Sequence, residues 1–343
     1  MKKRIGTILI CILLIVSSVV IVYPINALNV NSNTLYVGGN GPGNYTRIQD
    51  AIDDASNGDT LYVFSGNYFE DLTINKSIQL IGEDKDNVII YGSIRVKSIS
   101  DVTIKSFKIN HVKHLGISVD NCDFINLSEI IVYDCPEGIN LYNSNHCIIE
   151  NCVCYKNYGY SPIPDGGKGI IMNSNSNYNK IIGCICYNQT SLSGGYTVGI
   201  FVEGSNNEII ECKVYNSPYG ILLRGNHNYV SYSYITNHSS YAIIIEGNNN
   251  EIFNNNILNN DFGIFLSSSI DNVIYKNNFI GNRFSAHFMD NSILNHWRNN
   301  YWNRPRLLPY PIFGCSRVLI INRVNFDWHP ATEPYDIPIP DVP

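Results

Sequence analysis

The sequence predicts an all-β chain: a single-stranded right-handed parallel β-helix of about ten coils, with an N-terminal α-helical cap and a Pro-rich C-terminal segment packed on the outside. Three observations lead there. A Gly/Ala-Ile-x-aliphatic tetrad recurs, a second strand register keeps step with it, and a Gly/Asn-rich turn repeats after the tetrad. The tetrad reads Gly116-Ile117-Ser118-Val119, Gly138-Ile139-Asn140-Leu141, Gly169-Ile170-Ile171-Met172 and Gly199-Ile200-Phe201-Val202. It continues as Gly220-Ile221-Leu222-Leu223, Ala242-Ile243-Ile244-Ile245, Gly263-Ile264-Phe265-Leu266 and a degenerate Ala286-His287-Phe288-Met289. The steps are 22, 31, 30, 21, 22, 21 and 23 residues. A coil of that length cannot bury its own apolar side, so coils must stack.

The second register is aliphatic-x-x-Z-x-aliphatic. Z is Phe107, Ile130, Cys152, Cys184, Cys212, Ser233, Asn255 and Asn277. Two residues later come Ile109, Val132, Cys154, Cys186, Val214, Ile235, Ile257 and Phe279. Like residues then stack on like about 4.8 Å apart, and Asn255 over Asn277 forms an internal amide ladder. The turns Gly204-Ser205-Asn206-Asn207, Gly225-Asn226-His227-Asn228 and Gly247-Asn248-Asn249-Asn250 supply residues that tolerate left-handed backbone.

The N-terminal part, 28–98, reads as cap and first coils, and 99–303 as the repeats. Thr34 to Val37 and Thr60 to Phe64 read as strands. Thr46-Arg47-Ile48-Gln49 reads as a capping box opening a helix to Ala55, with Ile48, Ala51, Ile52 and Ala55 on its apolar face. That helix plugs the open end of the solenoid. Residues 304–343 hold Pro305, Pro309, Pro311, Pro330, Pro334, Pro338, Pro340 and Pro343, which no regular coil accepts.

Lys2-Lys3-Arg4 followed by apolar Ile5 to Val22 reads as an export signal, with Ala27 as the cleavage point. Its length also suits a retained membrane anchor, so 1–27 is signal peptide or anchor and the body is extracellular, at the cell surface or in a periplasm-like space. The net charge is −6, only 15% of residues are charged, and no basic patch appears, which argues against nucleic acid as a partner.

The opening run Gly41-Pro42-Gly43-Asn44-Tyr45-Thr46-Arg47-Ile48-Gln49-Asp50-Ala51-Ile52, then Gly58-Asp59-Thr60-Leu61-Tyr62-Val63, resembles the start of pectin-lyase-like right-handed β-helices. With the repeats and the closing Asn295-His296-Trp297-Arg298-Asn299-Asn300-Tyr301-Trp302, residues 34–303 resemble archaeal or bacterial NosD-like β-helix proteins. That resemblance implies the fold and a link to periplasmic copper-enzyme maturation. It implies no activity by itself.

Two coils are longer than the rest, over 154–169 and 186–199. Both insertions leave the same corner of adjacent coils, so they stand side by side and form the natural binding face. They hold Tyr158, Tyr160, Asp165, Lys168, Gln189 and Tyr196. Before that corner, Tyr133, Tyr155, Tyr187 and Tyr215 recur at one-coil spacing as an outward row. Tyr faces stack on sugar rings and their hydroxyls hydrogen-bond, so polysaccharide or a surface glycan is the expected ligand; a purely structural row is the alternative.

The third tetrad position, read as Ile171, Phe201, Leu222, Ile244, Phe265 and Phe288, makes an outward apolar stripe. Soluble monomers rarely leave such a stripe bare. The expected cover is the C-terminal segment through Leu307, Leu308, Ile312 and Phe313, with a dimer interface as the competing account. Cys152, Cys184 and Cys212 stack in one register. Buried small apolar residues, disulfides or a soft-metal site such as Cu(I) all fit that pattern. Calcium requires an acidic cluster, and none stands out. A glycosidase needs two carboxylates across a cleft. Asp53-Asp54 falls on the cap helix, the wrong place, while Asp134, Glu137, Glu150, Asp165 and Glu211 fall near the loops, and Asp165 with Lys168 is the lyase or hydrolase candidate.

Overall fold

The structure, a computed structural model, describes residues 32–110, 115–159, 166–191, 195–290, 292, 294–315 and 322–340. The signal or anchor expected over 1–27 lies outside the described residues, as do Tyr160 and Asp165. Among the described residues no helix is long and apolar enough to cross a membrane. The body is an all-β parallel solenoid of about 12 turns, slightly more than the ten expected. Each turn has three short strands. Those that carry the tetrads build one wall (Ile117–Asp120 stacks on Ile94–Lys97 and under Glu137–Tyr142). A second wall runs through Asn126–Ser128 and Ile148–Glu150. The third, here the tyrosine wall, is an 11-stranded sheet through Ile131–Tyr133 and Val153–Tyr155.

Corners between walls are left-handed. Asp134, Lys156, Asn188, Asn216, Asn237 and Asn259 all have φ between 53° and 57° at the exit from the tyrosine wall. The other two corners do the same, for example at Glu129, Asn151 and Glu211 and at His146, Asn206 and His227. Asn serves well there because its short polar side chain tolerates αL backbone. The tetrad glycine has a different cause. A Cβ on Gly169 would strike the carbonyl oxygen of Gly199 in the next coil and sit 3.0 Å from the Cys186 sulfur. At Gly169 close stacking of coils leaves no room for a side chain, whereas Ala242 fills the equivalent position further along the stack.

The interior is aliphatic, threaded by polar ladders. The expected pair is present: the Asn255 N–H donates to Asn277 Oδ1 at 3.0 Å. It continues through Asn300 to the carboxylate of Asp327. A longer ladder runs through Asn179, Asn207, Asn228, Asn250, Asn272 and Asn295, each backbone N–H donating to the next side-chain oxygen at 2.8–2.9 Å. The sequence marks Asn207, Asn228 and Asn250 as turn residues, and they are buried turn residues. Buried backbone donors at the corners need partners, and the amides provide them.

Both ends depart from expectation in detail. The helix spans Ile48–Asp54, with Ile48, Ala51 and Ile52 buried as foreseen. The capping box does not form. Glu70, in the loop between strands Gly66–Tyr68 and Leu72–Ile74, caps the helix instead, accepting from the N–H groups of Ile48 and Gln49 at 2.8 and 3.1 Å. At the other end, Tyr310–Cys315 adds a strand to the tetrad wall and pairs antiparallel with Asn322–Asp327. The segment does not lay its leucines on the apolar stripe. Leu307, Leu308 and Phe313 are 92%, 77% and 61% exposed, and only Ile312 is buried. Chain used as an extra coil cannot also fold back over the wall it extends. The stripe itself is buried at Ile171, Leu222 and Ile244. Its last member is His287, because Phe265 pairs with His287 while Phe288 turns inward.

Candidate functional site

Tyr133, Tyr155, Tyr187 and Tyr215 occupy the same register of four consecutive strands. Val132, Cys154, Cys186 and Val214 beside them point into the core, so strand alternation drives the tyrosines outward. Their ring centroids are 5.3, 5.1 and 4.9 Å apart, with planes within 6°, 8° and 2° of parallel. This stacking changes what the row offers. Much of each ring face is turned toward its neighbours, so the edges and hydroxyls, rather than open faces, meet a ligand. Burial pushes Tyr133, Tyr187 and Tyr215 above the ordinary phenol value, and burial with the adjacent Tyr187 and Tyr133 takes Tyr155 to about 12. The row is thus a set of neutral donor–acceptor hydroxyls at one-coil intervals.

Lysines bracket it. Lys108 Nζ lies 5.6 Å from the Tyr133 ring centroid and Lys213 Nζ 5.7 Å from that of Tyr215. The sequence reading missed both, because each occupies the outward position two residues before its row site and only the stack shows them at opposite ends. It also missed Phe69 and Tyr91, stacked at 4.8 Å, which begin the same row below Asn110.

The two insertions do stand side by side: Tyr158–Gly159 pairs in parallel with Thr190–Ser191. Beside that ribbon lies a depression of about 470 Å³, lined by Gln189, Thr190, Ser191, Asn216, Ser217, Pro218, Asn237 and Ser239. Its hydroxyls and amides adjoin the Tyr215 end of the row, since Asn216 follows Tyr215 directly. Gln189 is mostly structural. Its Oε1 accepts from the Asn157 N–H at 3.0 Å and its Nε2 donates to the Cys154 carbonyl at 2.8 Å.

Tyr196 and Lys168 belong elsewhere. Tyr196 packs on Tyr219 of the tetrad wall at 5.5 Å, with the Arg224 guanidinium 5.8 Å from its ring. Lys168 is 4% exposed on the same wall, and its Nζ lies 3.3 Å from Glu137 Oε1. The other oxygen of Glu137 accepts from Asn140 at 2.7 Å. A lysine so held is poorly placed to act on a polymer.

Cys152, Cys184 and Cys212 stack inside the second register, as expected, and are free thiols. The Cys152 N–H donates to the Cys184 sulfur at 3.4 Å, and the Cys184 thiol faces the Ile149 carbonyl at 3.4 Å. Burial pushes Cys184 well above the usual thiol value and Cys212 to about 12. Soft metals bind thiolates, and burial opposes ionisation of Cys184 and Cys212. Among the described residues no group of three or more His, Cys, Asp or Glu side chains is gathered to hold a metal.

The architecture defines a class: a single-chain parallel β-helix with an aromatic outer wall. A family model described as periplasmic copper-binding protein (NosD) matches residues 52–228 and 162–314, and the chain belongs to that family. No curated protein matches. Among solved structures, the chain is similar to the mannuronan C-5 epimerase AlgE6 A-module of Azotobacter vinelandii, at 12% identity and TM-score 0.55, covering 84% of this chain and 90% of that one. A rhamnogalacturonan lyase follows at 15% identity and TM-score 0.52, covering 78% and 87%. The Geobacillus virus E2 ORF18 protein is 19% identical at TM-score 0.49; the match covers 82% of this chain and spans only 59% of that one. At these identities the likeness is one of fold.

Proposed function

We propose that this is an exported β-helix protein that binds an extended polysaccharide lengthwise along the tyrosine wall, without cleaving it. The observation that carries the reading is the bracketed row: four parallel tyrosines at 4.9–5.3 Å, with a lysine at each end. One hydroxyl is thus offered per coil, about every 4.8 Å along the wall, as a regular array for a repeating polymer. The two lysines, about 19 Å apart over four coil steps, favour a polymer carrying carboxylates. The polar depression beside Thr190 and Ser191 extends the surface. A non-catalytic role is favoured by Lys168, which is ion-paired to Glu137 on another wall. Export fits both the family's periplasmic description and the basic-then-apolar start of the chain.

The test is affinity electrophoresis of the purified protein in gels cast with polygalacturonate or with dextran, followed by sizing of the polymer. Retardation by polygalacturonate with intact polymer supports the reading. Shortened polymer would make it an enzyme, and no retardation in either gel would remove the glycan site.

A further inference from the structure

The outward row beside the tyrosines runs up the same wall through Lys213, Tyr234, Asn256, Asn278 and Tyr301. Its upper end is occupied. The Asn278 amide clamps the backbone of Tyr335 from both sides: Nδ2 donates to the Tyr335 carbonyl at 2.9 Å, and Oδ1 accepts from the Tyr335 N–H at 2.8 Å. One coil lower, Asn256 Nδ2 donates to the Ile337 carbonyl at 3.0 Å. Asn278 Nδ2 also donates to Asn256 Oδ1 at 2.8 Å, which fixes both amides. The Tyr335 hydroxyl donates to the Asn299 carbonyl at 2.6 Å, and Ile337 is buried.

The two asparagines read backbone, while the Tyr335 hydroxyl and the buried Ile337 side chain hold this particular sequence in place. Together these contacts hold a proline-flanked segment, tightened at Asp336 where the Ile337 N–H donates to the Tyr335 carbonyl at 3.0 Å, that descends toward Tyr234 and Lys213, and Ile339 is 56% exposed. Pro334, Pro338 and Pro340 restrict the backbone on either side of it, which lowers the entropy lost on docking. The ladder end of the solenoid is already closed upstream by Asp327. Residues 335–337 are therefore not needed to finish the coil stack.

We propose that this outer strip is a docking surface for a peptide segment, and that residues 335–337 are its resident occupant: a detachable strap that shortens the strip open to polysaccharide. The polysaccharide part rests on the function proposed above; the docking part does not.

The experiment uses the full chain carrying Tyr335→Ala and Ile337→Asp, which releases the strap and leaves the wall intact. Three readouts are taken: hydrogen exchange over 335–337, binding of a labelled peptide with the sequence of residues 331–340, and retardation by polygalacturonate. The proposal expects lost protection, peptide uptake by the variant but not by the parent, and affinity for the polymer raised about fivefold, reversed by the peptide. Adding Asn256→Ala and Asn278→Ala to the variant should abolish peptide uptake. Retained protection, or no peptide uptake by the released variant, overturns the docking surface. Peptide uptake with unchanged polymer affinity overturns the strap while the tyrosine site stands. If neither protein is retarded by any polymer, the proposed function fails, and the peptide arm still decides the docking surface.

Discussion

Trp302 donates its indole N–H to Asp327 Oδ2 at 3.0 Å, and that carboxylate stands where the next rung of the Asn255–Asn277–Asn300 ladder would be. It also accepts from the backbone N–H of Asn299, Asn300 and His329 and from the Asn300 amide. An open solenoid leaves a rung of buried donors with no coil above it. A carboxylate suits that place because it only accepts.

Asp327→Asn should therefore destabilise the chain, because its NH₂ would face donors. The expected loss is about 1–3 kcal/mol, read as a lower denaturation midpoint with an unchanged slope in urea. A midpoint equal to the parent's would mean that the cap contributes little.

Gly169→Ala tests close stacking. The new methyl would meet the Gly199 carbonyl and press on the Cys186 sulfur. Overpacking of this kind costs about 1–3 kcal/mol. Thr103→Ala, at an outward position of the second wall, is the control and should shift the thermal midpoint much less. Equal effects would contradict the stacking argument.

His238 replaces an amide in a third ladder, between Ser217 and Asn260. Its Nδ1 lies 2.7 Å from the Ser217 carbonyl and its Nε2 3.1 Å from that of Val214. Burial lowers its pKa to about 4, against the favourable pull of those two carbonyls. The unfolded chain then binds a proton below about pH 6.5 that the folded chain refuses until about pH 4. Stability must fall as pH drops through that window, by up to about 3 kcal/mol. His238→Asn, which matches Asn260 above it, should flatten this part of the stability–pH curve. An unchanged slope between pH 4 and 6.5 would show that other groups cause it.

Much of the fold was legible because stacking repeats itself in sequence. The tetrad fixed which strands pair, and Tyr133, Tyr155, Tyr187 and Tyr215 fell into one column because one-coil spacing permits nothing else. What the repeat could not show was contact between its ends and its walls. Glu70 replaced the expected capping box because it lies 22 residues from Ile48 and only the fold brings them together. The C-terminal prolines said where the coils end, not that Ile312 would add a strand and Tyr335 would settle on Asn278. The sequence places Tyr196 in the insertion beside the tyrosine row, yet the loop carries it to Tyr219 on another wall. The register of Ala286 slipped by one because the last copy lacks its glycine.

The most direct test of the central claim is the affinity of the Tyr155→Ala, Tyr187→Ala double variant for polygalacturonate, measured beside its stability. Stacked outward pairs add about 0.2–1 kcal/mol each, so the fold should survive with a small shift in midpoint. The account predicts that affinity falls at least about tenfold, or about 1.4 kcal/mol, while the chain stays folded. A folded double variant that binds the polymer as tightly as the parent would contradict it.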